Sequence, residues 1–424
     1  MKQILSRGWY LARSATARSA YTLLAGNLTD SILAFLFTLI SFRLLSTADF
    51  GIFSAVNNFV FTCVLVLDLG IGGSLLHFIP YWQSHRLREK EASYIWSGII
   101  FRVGAAGAAG TFLLGFSHQI AGFFRTPDVL VPVIAGMSLI TISILDVLVF
   151  ALQGYRKFFH SVLAANIFSC LRFLFVAVVW ITLLPYSVVL ATLISAVSPV
   201  LSIFLSRRWL RLPSFTLPRP GVFRSLLGFS GWMALSKISS TIATRMDIQI
   251  IILFLGPALA GVYSVAARLA NFYPVMFVSI TSILAARLIR ISDRRHAKTF
   301  LGKTLVAFCL IGCAMLIGAA VASPLIGLLF GRSALPAAPF FRGLTLAYLP
   351  MLFSVLPLGM VIYYFKLPRL AGWLGLTQLM ITLTGNLLLT PVWGPFGPVI
   401  SIGVANALVL LMGLVIVYRL WKSA

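Results

Sequence analysis

Apolar runs of about 20 residues recur along the sequence from one end to the other. This is the length that an α-helix needs to cross about 30 Å of hydrocarbon, because each residue adds about 1.5 Å to the helix. The chain is 60% hydrophobic and 10% charged, with a mean hydropathy of +1.01. The core of a water-soluble protein of 424 residues does not need so much apolar material. We therefore expect an all-α integral membrane protein.

Segmentation by these runs predicts about twelve transmembrane helices. The first run is too long for the apolar core of a cleaved signal peptide, so it is interpreted as the first span. The predicted spans are 20–43, 50–76, 93–115, 129–152, 161–182, 186–206, 223–255, 260–286, 300–322, 337–363, 370–390 and 397–418.

The distribution of lysine and arginine tests this segmentation, because basic residues concentrate in cytoplasmic loops. Of the 33 basic residues, 24 fall in loops of one parity, and only Arg43, Arg125, Arg332 and Arg342 fall in loops of the other. Gain or loss of one span would scramble this partition. We therefore predict that both termini are cytoplasmic. The net charge of +24 then reflects topology, and nucleic acid is not an expected partner, since no soluble domain presents the cations.

Similar segments recur at a fixed offset in the two halves of the chain. FGIFS at 50–54 matches AGVYS at 260–264, and RKF at 156–158 falls opposite KLP at 366–368, both at an offset of 210. Six spans per half give both halves the same orientation, which is the parallel repeat of two-lobed transporters. We predict an N-terminal six-helix lobe with an amphipathic N-terminal segment at 1–206, a basic cytoplasmic linker at 207–222 and a C-terminal six-helix lobe at 223–424. A cavity is expected between the lobes.

The seventh and eighth predicted spans contain charges that are costly in lipid and usually mark a pathway. Lys237, Thr241 and Arg245 recur every four residues and share one helix face, and Arg268 in the next span lies at a similar depth to Arg245. Asp247 is the natural counter-charge for either arginine, so one alternative is a buried Arg–Asp pair that only joins two helices. The surplus of positive charge favours the other, an anion site that faces an aqueous cavity.

The N-terminal half contains carboxylates instead. Asn27 and Asp30 form a polar patch with Ser31 on the first span, and Asp68 lies on the second. Carboxylates in a wet cleft can take up a proton or a sodium ion, but these two can equally be paired with cations such as Arg172.

Three further features of the spans have structural interpretations. Arg102 either snorkels to the interface or has a function, and Asp146 is solvated at the inner end of its span. The glycine-rich GIGG at 70–73 and GAAGAAG at 104–110 are expected to let helices approach closely. The five histidines show no metal-ligand spacing, so no metal site is expected.

Several motifs in this order resemble those of the polysaccharide (O-antigen type) flippases of the multidrug/oligosaccharidyl-lipid/polysaccharide (MOP) exporter superfamily. They are FRLLSTADFGIFSAVNNF with DLGIGGSLLHFI, LQGYRKF, MDIQIIILFLGPALAGVYSVAARL, LIGLLFG and NLLLTPVWGPFGPVIS. The resemblance implies a V-shaped fold like that of the multidrug and toxin extrusion (MATE) transporters. It also implies that Arg245, Asp247 and Arg268 match the family's charged central positions, with Lys237 and Arg172 as additions. Asn58 stands where an arginine opposite Arg268 would be.

The function implied by this resemblance is transport without covalent chemistry. The substrate would be an undecaprenyl-diphosphate-linked oligosaccharide, moved across a bacterial cytoplasmic (inner) membrane by alternating access. The expected partners are this substrate, membrane lipids, a glycan polymerase and glycosyltransferases, and a monomer is expected. No cofactor is expected, and coupling to Na⁺ or H⁺ stays open. Twelve spans, rather than the fourteen typical of lipid II flippases, point away from a peptidoglycan precursor.

Two other functions remain as alternatives. A cation-coupled multidrug exporter of the same superfamily would have an acidic cavity, which the surplus of cations in spans seven and eight argues against. A membrane-embedded glycan-modifying enzyme usually needs a large external loop or clustered acid, base and nucleophile groups, and the predicted outer loops carry few ionisable residues.

Overall fold

The computed structural model describes residues 15–209, 213–217, 220–288 and 294–423. These residues are helical almost throughout, and no strand occurs among them. The α-helices are α1 (Ala15–Leu44), α2 (Thr47–Leu67), α3 (Ile71–Ser84), α4 (Arg88–Gly115), α5 (Ser117–Phe123), α6 (Leu130–Gly154), α7 (Phe158–Thr182), α8 (Val188–Ser206), α9 (Pro220–Leu255), α10 (Pro257–Ala270), α11 (Phe272–Leu288), α12 (Arg294–Ala320), α13 (Ala322–Phe330), α14 (Ala338–Gly359), α15 (Pro368–Trp393) and α16 (Phe396–Ser423).

Ten of these helices, within the described residues, are long and apolar enough to cross a membrane: α1, α2, α4, α6, α7, α8, α12, α14, α15 and α16. The prediction of an all-α membrane protein is confirmed, whereas the count of twelve spans is not. Predicted span seven corresponds to α9, of which several side chains lie outside the described residues. Predicted span eight is divided at Asn271 into α10 and α11, which have 14 and 17 residues. The amphipathic N-terminal segment lies mostly outside the described residues.

Helix breaks occur where the backbone adopts positive φ or where proline begins a helix. Gly256 has a φ of 91° and is followed by Pro257, which starts α10. Leu69 and Gly70, with φ of 44° and 76°, separate α2 from α3 inside the predicted second span. Glycine tolerates this left-handed region, and proline at the first helical position loses no hydrogen bond.

The order of long and short helices recurs along the chain. In each half, a divided span, α2–α3 or α10–α11, precedes a long helix that is followed by a short one, α4–α5 or α12–α13. Three long helices complete each series, α6 to α8 and α14 to α16. This recurrence agrees with the repeat offset found in the sequence.

The chain divides into two compact units whose boundaries fall inside helices. The first unit is Met1–Ser46 with Phe59–Lys237, and the second is Thr47–Asn58 with Ile238–Ala424. The boundary therefore passes through α2 and through α9. The first half of α2 belongs to the second unit, a division that the sequence does not predict.

A central helix organises the packing in each unit. In the first unit, α6 packs against α3, α4, α7 and α8, and α1 packs against α7. In the second unit, α14 packs against α10, α11, α12 and α16, and α15 packs against α16. Leu139 and Leu352, on α6 and α14, are fully buried, whereas Ile181, Leu310 and Leu328 are exposed, as side chains in contact with lipid would be.

Glycines allow some of these helices to approach closely. A Cβ atom at Gly72 would lie 2.6 Å from the Phe150 ring, and one at Gly110 would lie 2.8 Å from Ile140. The interpretation of GIGG and GAAGAAG as packing motifs is confirmed at these two positions. It is wrong for Gly104, which has no atom within 4 Å of its ideal Cβ position.

Candidate functional site

Two glycines related by the repeat offset place α2 against α10 in the second unit. A Cβ atom at Gly51 would lie 1.9 Å from the carbonyl oxygen of Pro257, and one at Gly261 would lie 2.0 Å from that of Thr47. The two contacts are reciprocal, because both pairs of residues are related by the offset of 210. Only glycine allows backbones to meet this closely. The crossing fixes the position of the α2 residues that follow it.

Asn58, seven residues after this crossing, holds Arg245 of α9. The Asn58 side chain donates a hydrogen bond of 2.6 Å to the carbonyl oxygen of Arg245. Its Oδ1 accepts a hydrogen bond of 3.3 Å from Nη1 of the Arg245 guanidinium. One turn further along α9, Gln249 Nε2 donates to the carbonyl oxygen of Ala55 at 3.1 Å. The half-buried guanidinium of Arg245 is thus oriented by an uncharged amide.

Asp247 is occupied by other partners. Its Oδ2 accepts a hydrogen bond of 2.9 Å from the Tyr263 hydroxyl of α10, and its Oδ1 accepts one of 2.8 Å from the backbone N–H of Ile248. Tyr263 is fully buried, and Asp247 is 6% exposed. Residues two apart on a helix do not face each other, and Asp247 is hydrogen-bonded to α10 whereas Arg245 is hydrogen-bonded to α2.

We name this group the Arg245 cluster; it consists of Asn58, Arg245, Asp247, Gln249 and Tyr263, and its one guanidinium and one carboxylate are hydrogen-bonded to different partners. Among the described residues, neither Arg245 nor Asp247 takes part in an ion pair. The described residues show no direct ion pair between Arg245 and Asp247, and the pairing of Asp247 with Arg268 stays a prediction. Among the described residues, the Arg245 guanidinium donates only to the Asn58 amide oxygen. Its other N–H groups can therefore donate to an incoming anion.

The two other predicted cations of this half are less closely described. Arg268 is half-buried in the last turn of α10, five residues after Tyr263. Lys237 belongs to α9, but its side chain lies outside the described residues. Thr241, between Lys237 and Arg245 on the predicted face, is buried.

Arg172 lies in the first unit, among aromatic rings. Its guanidinium carbon is 4.1 Å from the centre of the Phe37 ring, 5.3 Å from that of Phe168 and 5.9 Å from that of Phe61. Such contacts attract a cation to the negative face of each ring. Arg172 is 5% exposed, so this environment suits a cation that is held in place.

The predicted ion-coupling residues have different hydrogen-bond partners. Asp30 of α1 accepts a hydrogen bond from the Ser169 hydroxyl of α7, one turn before Arg172. Asn27 is exposed, and its backbone carbonyl accepts a hydrogen bond of 2.8 Å from Ser31. Asp68 belongs to a separate group of buried charges.

That group is a triad of Arg102, Asp68 and Asp146 in the first unit. The Arg102 guanidinium donates to both carboxylates and forms an ion pair with each. Arg102 is 0% exposed, so the expectation that it snorkels is wrong. Asp68 Oδ1 also accepts a hydrogen bond of 3.0 Å from the backbone N–H of Gly72, at the start of α3. The triad thereby secures the break between α2 and α3.

Asn58 and Tyr263 are the residues whose roles the sequence does not reveal directly. A signal for Asn58 exists, because it occupies the repeat position of Arg268. Tyr263 likewise occupies the repeat position of Phe53, so its hydroxyl is an addition specific to the second half. A comparison of the repeats therefore identifies both positions, although not the atoms that they contact.

Comparisons with known proteins agree with this architecture. Residues 16–285 match the family model described as "Polysaccharide biosynthesis protein". A comparison with curated protein sequences gives no match.

Solved structures show a shared fold. An inward-facing MATE family multidrug resistance transporter of the MOP superfamily has a TM-score of 0.74 at 17% identity, covering 93% of this chain and 96% of that one. Lipid II flippase MurJ, in an inward closed conformation, has a TM-score of 0.76 at 15% identity, covering 93% and 87%. A MOP superfamily transporter from Pyrococcus furiosus, described as having a binding pocket of reverse polarity, has a TM-score of 0.57 at 15% identity, covering 91% and 94%.

Proposed function

The chain belongs to the polysaccharide biosynthesis protein family of the MOP exporter superfamily, and we propose on this basis that it is a lipid-linked oligosaccharide flippase. The substrate is an undecaprenyl-diphosphate-linked repeat unit of O-antigen, capsule or exopolysaccharide. The protein carries it across the bacterial cytoplasmic membrane by alternating access and makes or breaks no covalent bond.

The observation that carries this proposal is the Arg245 guanidinium, which is held by an amide in the Arg245 cluster. A diphosphate is at least dianionic, and a guanidinium presents several N–H donors in a geometry that matches phosphate oxygens. Arg245 is oriented by Asn58 and forms no ion pair with a carboxylate of the described residues. In a half-buried position its attraction for an anion is stronger than it would be in bulk water.

Tyr263 keeps the N–H donors of Arg245 available to an anion. If Asp247 paired directly with Arg245, the diphosphate would have to displace a carboxylate. The hydrogen bond of 2.9 Å from Tyr263 holds that carboxylate in place. Arg268 and Lys237 would add positive charge for the second phosphate, and Arg172 would act in the first unit.

The rest of the substrate makes different demands. The sugars need polar, hydrated surroundings, and the polyprenyl chain can remain in lipid while the head group moves. Coupling of this movement to Na⁺ or H⁺ through Asp30, Asp68 and Asn27 stays a prediction. A glycan polymerase and glycosyltransferases are the partners that such a substrate requires.

Replacement of Arg245 by alanine tests the proposal. In a host whose own flippase has been deleted and whose surface glycan depends on this protein, Arg245→Ala should abolish export while the protein level in the membrane stays normal. Arg332→Ala removes an exposed arginine of the 3₁₀ segment Arg332–Ala337 and serves as the matched control. Normal surface glycan with Arg245→Ala would refute the assigned site. Restoration of drug resistance without any glycan export by the wild-type protein would indicate the multidrug exporter instead.

A further inference from the structure

Basic residues occupy most of the left-handed backbone positions in the described part of the chain. Six residues other than glycine have positive φ there: Leu69, Arg86, Arg125, Arg156, Leu183 and Lys366. Four of the six are basic, although basic residues make up only 33 of the 424 in the chain. Chance alone would place fewer than one basic residue in such a small group.

Arg86, Arg125 and Arg156 follow a helix end of the kind that normally carries glycine. Arg86, with φ of 55°, follows α3, and the N–H of the next residue, Leu87, bonds to the carbonyl of Trp82. Lys157 after Arg156 and Thr126 after Arg125 make the same bond to the carbonyl five residues earlier. This is the Schellman ending, in which glycine is preferred at the left-handed position because it has no Cβ.

Lys366 repeats the position of Arg156 in the second half of the chain. The two residues are 210 apart and have the same φ, 58°. Each is followed by one residue and then by a new helix, α7 after Arg156 and α15 after Lys366. Arg86 has the same relation to α4. All three lie on the side that the basic loops place in the cytoplasm.

Helix electrostatics alone do not account for these cations. A positive charge near the carboxyl end of a helix is favourable, but at an exposed position this gain is smaller than the cost of a left-handed conformation for a residue with a Cβ. Glycine at these sites would relieve that cost. A charge retained at a net cost to folding indicates a role outside the fold.

The three side chains are also available to a ligand. Arg86, Arg156 and Lys366 are exposed, and in the described structure their side chains make no hydrogen bond or ion pair. Among the described residues, the neighbouring Glu91 forms no ion pair with them; it accepts a hydrogen bond of 3.3 Å from Gln83. Burial and Glu91 also raise the pKa of the Tyr155 hydroxyl, which places Glu91 against Tyr155 instead.

We propose that Arg86, Arg156 and Lys366 form surface sites that bind the diphosphate of the lipid-linked substrate where the inner ends of the helices meet the lipid head groups. This inference rests on the proposed function and extends it to the step before translocation. Guanidinium and ammonium groups at the depth of the head groups are suited to phosphate oxygens, and the left-handed turn points away from the helix that precedes it. The sites raise the concentration of substrate at the membrane surface beside the protein. The substrate then binds at the Arg245 cluster for translocation.

The test uses the full chain, purified and reconstituted in phosphatidylcholine vesicles that contain undecaprenyl-diphosphate oligosaccharide. In the triple variant Arg86→Gly, Arg156→Gly, Lys366→Gly, the apparent KM for transport should rise about tenfold, as expected for the loss of about one charge-assisted hydrogen bond per bound substrate, while kcat is unchanged. The thermal midpoint of unfolding should rise by a few degrees, because glycine adopts the left-handed conformation without the steric cost that a Cβ imposes. A purely structural role predicts an unchanged KM.

Arg125→Gly is the control for one such backbone and charge change on the side predicted to be opposite. It should leave KM unchanged. A triple Lys/Arg exchange, Arg86→Lys, Arg156→Lys and Lys366→Arg, should keep the wild-type KM. An unchanged KM in the triple glycine variant overturns the inference, as does equal competition by phosphatidylglycerol at the same phosphate charge. If the wild-type protein transports no lipid diphosphate at all, the proposed flippase function fails too. An unchanged KM in a transporting triple variant overturns only the surface sites, so the two failures can be told apart.

Discussion

Replacement of Asn58 by aspartate puts a carboxylate beside the Arg245 guanidinium with almost no change of shape. The oxygen that accepts from Nη1 lies 3.3 Å away in the wild-type protein. Two unit charges at that separation attract each other by about 5 kcal/mol at an effective dielectric constant of about 20. Desolvation of the new carboxylate offsets part of this, so a net strengthening of about 1.5–3 kcal/mol is expected, as for hydrogen bonds to charged groups.

A diphosphate must compete with this new ion pair. At about 1.4 kcal/mol per factor of ten, Asn58→Asp should weaken substrate binding about 10- to 100-fold. The second carboxylate oxygen would replace the amide that donates to the carbonyl oxygen of Arg245, so the thermal midpoint is measured beside that of Asn58→Leu, which loses the same hydrogen bond. The assay is transport of lipid-linked oligosaccharide into vesicles, with protein content measured in the same preparation.

Asn58→Leu is the companion variant, because it removes the amide without adding charge. It should lower transport less than Asn58→Asp, since Arg245 loses its orientation but stays cationic. Transport at the wild-type rate by Asn58→Asp would refute the reasoning, because an arginine that tolerates a neighbouring carboxylate is not the anion-binding group.

Two further predictions concern the scaffold around the site. Gly51→Ala should lower the thermal midpoint of the purified protein by several degrees, because overpacking against the Pro257 backbone costs about 1–3 kcal/mol. Gly104→Ala is the control: its new Cβ meets no atom within 4 Å, so the midpoint should not fall. Arg102→Leu should lower the free energy of unfolding by about 3–5 kcal/mol in the same measurement, because Asp68 and Asp146 lose the cation that pairs with them. A thermal midpoint equal to that of the wild type would show that the triad is dispensable.

Helical spans could be predicted from the sequence because lipid imposes a simple rule on length and hydropathy. The interruptions of those spans could not be predicted. The break at Leu69 and Gly70 lies within an apolar run, and the glycines there also suit helix packing. Only the backbone angles distinguish a glycine that ends a helix from one that lets two helices pack closely.

The candidate site shows a similar division. Arg245 stands out in the sequence because a charge in an apolar run is conspicuous. Its relation to Asp247 depends on direction as well as proximity, and residues two apart on a helix do not face each other. Asn58 and Tyr263 are conspicuous only when the repeats are aligned. Arg102 looks like an interfacial residue until its two aspartates, distant in sequence, are brought beside it.

The most direct test of the central claim follows a fluorescent undecaprenyl-diphosphate oligosaccharide across vesicles that contain the purified protein. The account predicts that the wild-type protein moves the lipid between leaflets and that Arg245→Ala, with an unchanged thermal midpoint, does not. Equal rates for the two proteins would contradict the claim that the Arg245 guanidinium binds the diphosphate.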